Sequence, residues 1–178
     1  MGRLADASAI QYKVLNTRKG PAVRGTRTQN DKALYRAAAR RALESQTRLT
    51  LRQALVERLV VEGGRVAGVV DQVGVFHAAR SVVIATGTFL HGLVHVGRSR
   101  IPSGRAGEFP SEALADDLLR LGFTLGRMKT GTPARLDRRT IDFSRFSVQR
   151  GDDAPRPFSL FGGGPTLPQV VCHMGRTS

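Results

Sequence analysis

In Ser81-Val82-Val83-Ile84-Ala85-Thr86-Gly87-Thr88-Phe89-Leu90, an apolar run gives way to small residues where a strand would end. Continuous Val and Ile without alternation predict a strand covered on both faces, as in a parallel sheet. Small residues at its carboxyl end let a ligand press against the backbone, and open α/β sheets collect ligands there. An ordinary α/β core with a tight turn after a strand fits the same ten residues.

The flanks sharpen this picture. Leu49 to Arg52 is a short mixed run, and Ala54 to Glu62 is richer in Leu and Val. Gly63-Gly64 then predicts a two-residue hairpin turn, since both positions tolerate positive φ. Arg65 to Gln72 and Val73 to Phe76 return toward the Val82 strand. A meander feeding a buried strand that ends in Ala-Thr-Gly resembles the second half of the FAD-binding domain of two-dinucleotide-binding flavoproteins.

Elsewhere the chain predicts a short helix over Met1 to Ile10 and a strand over Gln11 to Leu15. A basic loop follows from Asn16 to Arg27. Thr28 or Asn30 can cap a helix running to about Gln46, with Asp31 in its first turn and Leu34, Tyr35, Ala38, Ala39 and Ala42 as its apolar stripe. His91 to Phe109 has the texture of a loop. A helix is expected from Pro110-Ser111-Glu112 to Leu121, then a strand over Phe123 to Arg127, with regular structure fading beyond Ser144.

Composition excludes several classes. There is one cysteine, Cys172, so neither an internal disulfide nor a multi-cysteine metal site is available. His77, His91, His95 and His173 lack metal-ligand spacing, so no metal is expected. No apolar run reaches membrane-spanning length and the first residues carry no signal-peptide core, which places the expected setting in the cytoplasm, away from membranes. The formal net charge of +14 comes mostly from arginine, whose planar fork suits phosphate and carboxylate. That charge points to polyanions without choosing among nucleic acid, nucleotide and flavin cofactor. Lys129-Thr130-Gly131-Thr132-Pro133 lacks the P-loop pattern, and no Gly-x-Ser-x-Gly or Gly-x-Gly-x-x-Gly turn is present.

Five stretches in order carry a more specific likeness. They are Ile10 to Gln29, with its Lys19-Gly20-Pro21-Ala22-Val23-Arg24 core; Ala85 to Leu90; Gly104-Arg105-Ala106-Gly107-Glu108; Lys129 to Arg135; and Arg139-Thr140-Ile141-Asp142-Phe143. Together they resemble the GidA family of tRNA uridine-5-carboxymethylaminomethyl modification enzymes, over nearly the whole chain and fading after about Gly164.

The resemblance implies an α/β fold. Residues 1–125 would form the latter part of a Rossmann-like FAD-binding domain with its β-meander, and residues 126–178 the start of an inserted NADH-binding-type domain. It implies an FAD-dependent enzyme that, with a GTPase partner of the MnmE type, adds a (carboxymethyl)aminomethyl group at C5 of the wobble uridine of tRNA. NADH and methylenetetrahydrofolate would serve as co-substrates, and the full-length protein would be a homodimer. By position in the family, Val56 and Ser111 would touch FAD, and Ala85, Thr86, Gly87 and Thr88 would lie beside it. Lys19, Arg24, Arg27, Arg105, Lys129 and Arg135 would line the flavin- or tRNA-facing cavity.

The family's opening Rossmann turn and its early cysteine have no counterpart here, so the catalytic residue is unassigned. The chain is expected to be a central fragment, inactive and weak in FAD binding by itself. The folate- and FAD-dependent tRNA uracil-5-methyltransferases are a related alternative, and a basic RNA-binding module without chemistry is a different one.

Overall fold

Every strand pair among the described residues is antiparallel, and three of the five pairs are hairpins closed by short turns. The computed structural model describes residues 1–133 and 135–176. Ala134 of the Lys129–Arg135 motif, and the last two residues of the terminal Met-Gly-Arg-Thr-Ser, lie outside the described residues. In chain order the elements are α1 (Gly2–Asp6), β1 (Ala9–Leu15), β2 (Gly25–Asn30), α2 (Lys32–Glu44), β3 (Val56–Glu62), β4 (Arg65–Asp71), β5 (Phe76–Ala78), β6 (Leu93–Val96), β7 (Ser99–Pro102), α3 (Ala113–Arg120), β8 (Ser147–Gln149) and β9 (Cys172–Met174). They fall into two compact units, one of residues 1–51 with 133–178 and one of residues 52–132.

In the first unit β1 is the spine. One edge pairs with β2 from Ala9↔Asn30 to Leu15↔Gly25. The other edge is taken up from far along the chain: Val170 N donates to Ile10 O at 2.7 Å, Asp152 N to Tyr12 O at 2.9 Å, and Val14 N to Asp152 Oδ2 at 2.8 Å. The last three residues of the basic segment predicted as a loop, Gly25 to Arg27, therefore belong to a strand. Gly25–Asn30 carries little apolar patterning, and its strand exists because β1 offers a ladder. The expected decay beyond Ser144 is likewise corrected by the β8–β9 pair.

Asp6 anchors this unit. Its carboxylate accepts from Phe158 N at 2.7 Å, Ser159 N at 2.9 Å and the buried Tyr12 hydroxyl at 3.0 Å. Burial, reinforced by the Asp6 hydrogen bond and charge, pushes the Tyr12 hydroxyl up to about 12. Helix α2 begins later than a Thr28 or Asn30 cap would place it: Asp31, expected in the first turn, is the cap itself, accepting from Ala33 N and Leu34 N at 2.8 and 3.0 Å.

In the second unit β3, β4 and β5 form the predicted meander. Gly63 and Gly64 stand at φ of 55° and 76°, the double positive that a type I′ turn demands. Helix α3 packs on β3 through Leu114, Ala115 and Leu118, all buried. Asp117, only 2% exposed, accepts from Leu59 N at 2.7 Å and thereby ties the helix to the strand. Asp71 closes the β4–β5 connection, accepting from Val73 N and Val75 N at 3.0 Å each and meeting His77 Nε2 at 2.9 Å. The His77 hydrogen bond holds the Asp71 carboxyl below the usual range, so that contribution is present above the ordinary carboxylate range and lost as pH falls through the depressed value.

Two expected strands are absent. Residues 81–86 and 123–127 form no regular structure and have no ladder partners, and Val83 is 90% exposed. Strand-forming composition there is not matched by a neighbouring strand among the described residues, and a strand needs one.

Two outcomes test this architecture. Asp117→Ala removes the acceptor of the half-buried Leu59 N–H and is expected to cost about 1–2 kcal/mol in urea unfolding, with Asp117→Asn milder because its amide oxygen still accepts. A hydroxyl whose folded pKa is raised stabilises the fold fully below its unfolded value. Stability is therefore expected to fall between pH 10 and about 12, and Tyr12→Phe to flatten that loss in circular-dichroism titrations.

Candidate functional site

The second unit brings three separated pieces of sequence into one knot: Thr86 to Gly92, Ser103 to Glu108, and Ser111 at the head of α3. Leu90 bridges Ser111 in parallel fashion, with Ser111 N donating to Phe89 O at 2.8 Å and His91 N to Ser111 O at 3.2 Å. Thr88 Oγ1 donates to Gly104 O at 2.5 Å, and Ser103 N donates to Gly92 O at 2.9 Å. Ser103, buried, donates its hydroxyl to Glu108 O at 2.7 Å and also to Arg105 O, which closes the Gly-Arg-Ala-Gly loop from beneath.

The crossing is so close that two positions exclude side chains. A methyl group on Gly92 would lie 2.6 Å from Ser103 O and 2.7 Å from Thr88 O; one on Gly104 would lie 2.1 Å from Cδ1 of Phe89. Gly87 and Gly107, by contrast, face open space at φ of 58° and 81°. Their role is backbone turning rather than packing.

The surface of this knot has hydrogen-bonding capacity to spare. Among the described residues, the backbone N–H groups of Ala85, Thr86, Gly87 and Thr88 have no protein acceptor. The Ser111 hydroxyl likewise makes no protein hydrogen bond among the described residues; the residue as a whole is buried, but its oxygen is not sealed from solvent. Unpaired donors on a glycine-turned segment, beside a serine hydroxyl, suit a ligand rich in oxygen acceptors. The residues present therefore fit the phosphate or ring-carbonyl oxygens of a flavin dinucleotide. Arg105, from the same loop, forms an ion pair with Glu108.

The remaining sequence-predicted residues are placed as follows. Val56 opens β3 opposite Asp71, half-buried in the meander. Lys129 lies exposed in extended chain of the second unit. Lys19, Arg24, Arg27 and Arg135 belong to the first unit. There Lys19 and Arg135 are exposed, and Arg24 donates to Thr17 O at 3.0 Å within its own loop. Arg27 is held inside the unit, its Nη2 donating to Gln11 Oε1 and Gln149 Oε1 at 3.1 Å each. No group of His, Cys, Asp and Glu among the described residues could hold a metal ion.

Sequence reasoning, which offered Ser103 to Gly107 as a ligand-wrapping loop, missed the packing role of Gly92 and the strands β6 and β7. Their signal was available: two four-residue runs flank Gly97-Arg98, with Gly97 at φ 59° in the first central position, where a type II′ turn takes glycine.

Comparison with known proteins decides the family. The family model described as "Glucose inhibited division protein A" matches residues 1–178. The chain belongs to the GidA family. It is 62% identical over 177 residues to a Syntrophobacter fumaroxidans protein named tRNA uridine 5-carboxymethylaminomethyl modification enzyme MnmG, covering 99% of this chain and 28% of that protein. A protein of the same name from Geobacter sulfurreducens is 54% identical over 178 residues, covering 100% of this chain and 28% of that protein. The chain thus spans a little over a quarter of the length of these curated relatives. The crystal structure of Aquifex aeolicus GidA superposes with a TM-score of 0.90 at 44% identity, covering 97% of this chain and 30% of that one. The α/β arrangement of hairpins, meander and α3 is thus the GidA arrangement for this stretch, in keeping with a partial Rossmann-like FAD-binding domain.

Crowding at the knot gives a graded expectation. Gly104→Ala drives a methyl into the Phe89 ring and is expected to cost about 1–3 kcal/mol in urea unfolding. Gly107→Ala meets only the positive φ and is expected to cost about 1 kcal/mol. Equal losses at the two positions would contradict the packing described.

Proposed function

We propose that this chain contributes the flavin-proximal part of an FAD-dependent enzyme that modifies the wobble uridine of tRNA. With a GTPase partner of the MnmE type, the whole enzyme adds a (carboxymethyl)aminomethyl group at C5. The observation that carries this reading is a family match over all 178 residues to proteins named for that modification. The knot supports it locally: unpaired N–H groups from Ala85 to Thr88 and the free Ser111 hydroxyl suit FAD oxygens. When bound, the flavin supplies oxidation–reduction, with NADH as the reductant and methylenetetrahydrofolate as the one-carbon source.

In this reading Thr88 fixes the strap through Gly104 O, and Ser103 keeps the Gly-Arg-Ala-Gly loop closed, so the free donors stay aimed at one ligand. Val56, at the start of β3, is the residue of the meander that would touch FAD. Lys19, Arg24, Arg27, Arg105, Lys129 and Arg135 supply positive charge for the cofactor's phosphates or for tRNA. Residues 1–125 serve the FAD domain and residues 126–178 begin the inserted NADH-binding-type domain. The full-length protein works as a cytoplasmic homodimer.

A chimera tests this. Replacing the matching 28% of the Syntrophobacter fumaroxidans relative with these 178 residues is expected to preserve flavin absorbance and restore modified uridine to tRNA in a strain lacking the activity. In that chimera Ser111→Ala is expected to weaken FAD retention about tenfold, as loss of one neutral hydrogen bond at a site does. A folded chimera that carries neither flavin nor activity would refute the proposal.

A further inference from the structure

We infer that the β6–β7 ribbon, Leu93 to Pro102, is an arm that grips the phosphodiester backbone of RNA. The inference deepens the proposed function by assigning a contact surface to the nucleic-acid substrate, and it rests on that reading.

Charge is the first argument. Between Asp71 and Glu108 the sequence contains no carboxylate, while Arg80, Arg98, Arg100 and Arg105 fall within that span. In a chain with 14 acidic residues, so long an acid-free run leaves the arginines without local compensation. Arg105 meets Glu108 at its end, but Arg98 and Arg100 have neither an ion pair nor a side-chain hydrogen bond among the described residues.

Geometry is the second. In the antiparallel register His95 stands directly opposite Arg100, so both project from one face of the ribbon. Arg98 occupies the second position of the two-residue turn, at the tip. Val94 pairs with Ile101 on the other face, followed by Val96. Side chains alternate along a strand, which sorts the ribbon into a cationic face and an apolar face. Both faces are open: His95 and Arg100 are exposed on one, and Val96 and Ile101 are 62% and 49% exposed on the other. Two guanidinium forks and an imidazole on one short, exposed ribbon can each bond phosphate oxygens without displacing an internal partner.

Placement is the third. The ribbon's second strand runs straight into Ser103 and the Gly-Arg-Ala-Gly loop of the knot, so RNA held on it would lie beside the proposed flavin surface. Backbone contacts position a nucleic acid without reading its sequence, which matches an arm without Phe, Tyr or Trp.

The test measures binding of a fluorescent RNA stem-loop to the 178-residue chain by anisotropy across a salt series. Arg98→Ala/Arg100→Ala is expected to weaken binding about tenfold at low salt. It should also lower the slope of log affinity against log salt by about 1.4 to 1.8, the contribution of two phosphate contacts. Arg52→Ala/Arg65→Ala removes the same charge from exposed positions of the same unit and is expected to change the slope by less than half as much. Circular dichroism checks that both variants remain folded, as expected for exposed positions. Equal slopes for the unaltered chain and the ribbon variant, or equal losses in the two variants, overturn the arm while leaving the proposed function standing. No RNA binding by the unaltered chain overturns the arm and counts against the tRNA reading as well.

Discussion

Buried carboxylates that accept from backbone N–H groups hold this chain together. Among the described residues its buried apolar core comprises only Ala5, Ala9, Tyr12, Val70, Leu114, Ala115 and Leu118. Three acids are buried with them: Asp6 receives the chain at Phe158 and Ser159, Asp71 closes a turn, and Asp117 joins α3 to β3. A charged acceptor makes a stronger hydrogen bond than a carbonyl does, and each of these replaces contacts that a larger core would supply. The same choice shapes the electrostatics. Acids drawn inward leave the surface to arginine, so a formal charge of +14 understates how cationic the exterior is.

The knot in the second unit follows from a different constraint, the close crossing of two backbones. Gly92 and Gly104 allow it, Thr88 and Ser103 secure it with their hydroxyls, and Ser111 adds the start of α3. Because those hydroxyls and carbonyls satisfy one another, the neighbouring N–H groups from Ala85 to Thr88 keep their donors for something else. A rigid crossing beside unpaired donors is what a ligand site on a small scaffold requires, since the donors need support that does not compete with the ligand.

Legibility differed by the range of the interaction concerned. The Gly63-Gly64 turn, the α2 cap near Asn30 and Asp31, and the α3 stripe of Leu114 and Leu118 were readable because each depends on neighbours within about one helical turn or one hairpin. The Val82–Ile84 run has the right residues for a strand, but a ladder partner is a property of distant sequence, and here no described strand lies against it. Gly25–Asn30 shows the reverse: a polar segment becomes a strand because β1 accepts its hydrogen bonds. Helix α2 illustrates a third case. Its apolar stripe is present, yet no residue of the helix is buried and Leu34 is 44% exposed, since amphipathic pattern specifies a face and not what covers it.

The candidate residues divide along the same line. Local order in the sequence sufficed for the motifs Ala85 to Leu90 and Gly104 to Glu108 and for the family, since ordered motifs survive without coordinates. Only the folded chain could join Thr88 to Gly104 and Leu90 to Ser111, commit Arg27 to Gln11 and Gln149, and leave Arg98 and Arg100 unpaired. The reason is physical: a side chain's type is written at its own position, whereas its availability depends on which remote acceptors the chain has carried to it.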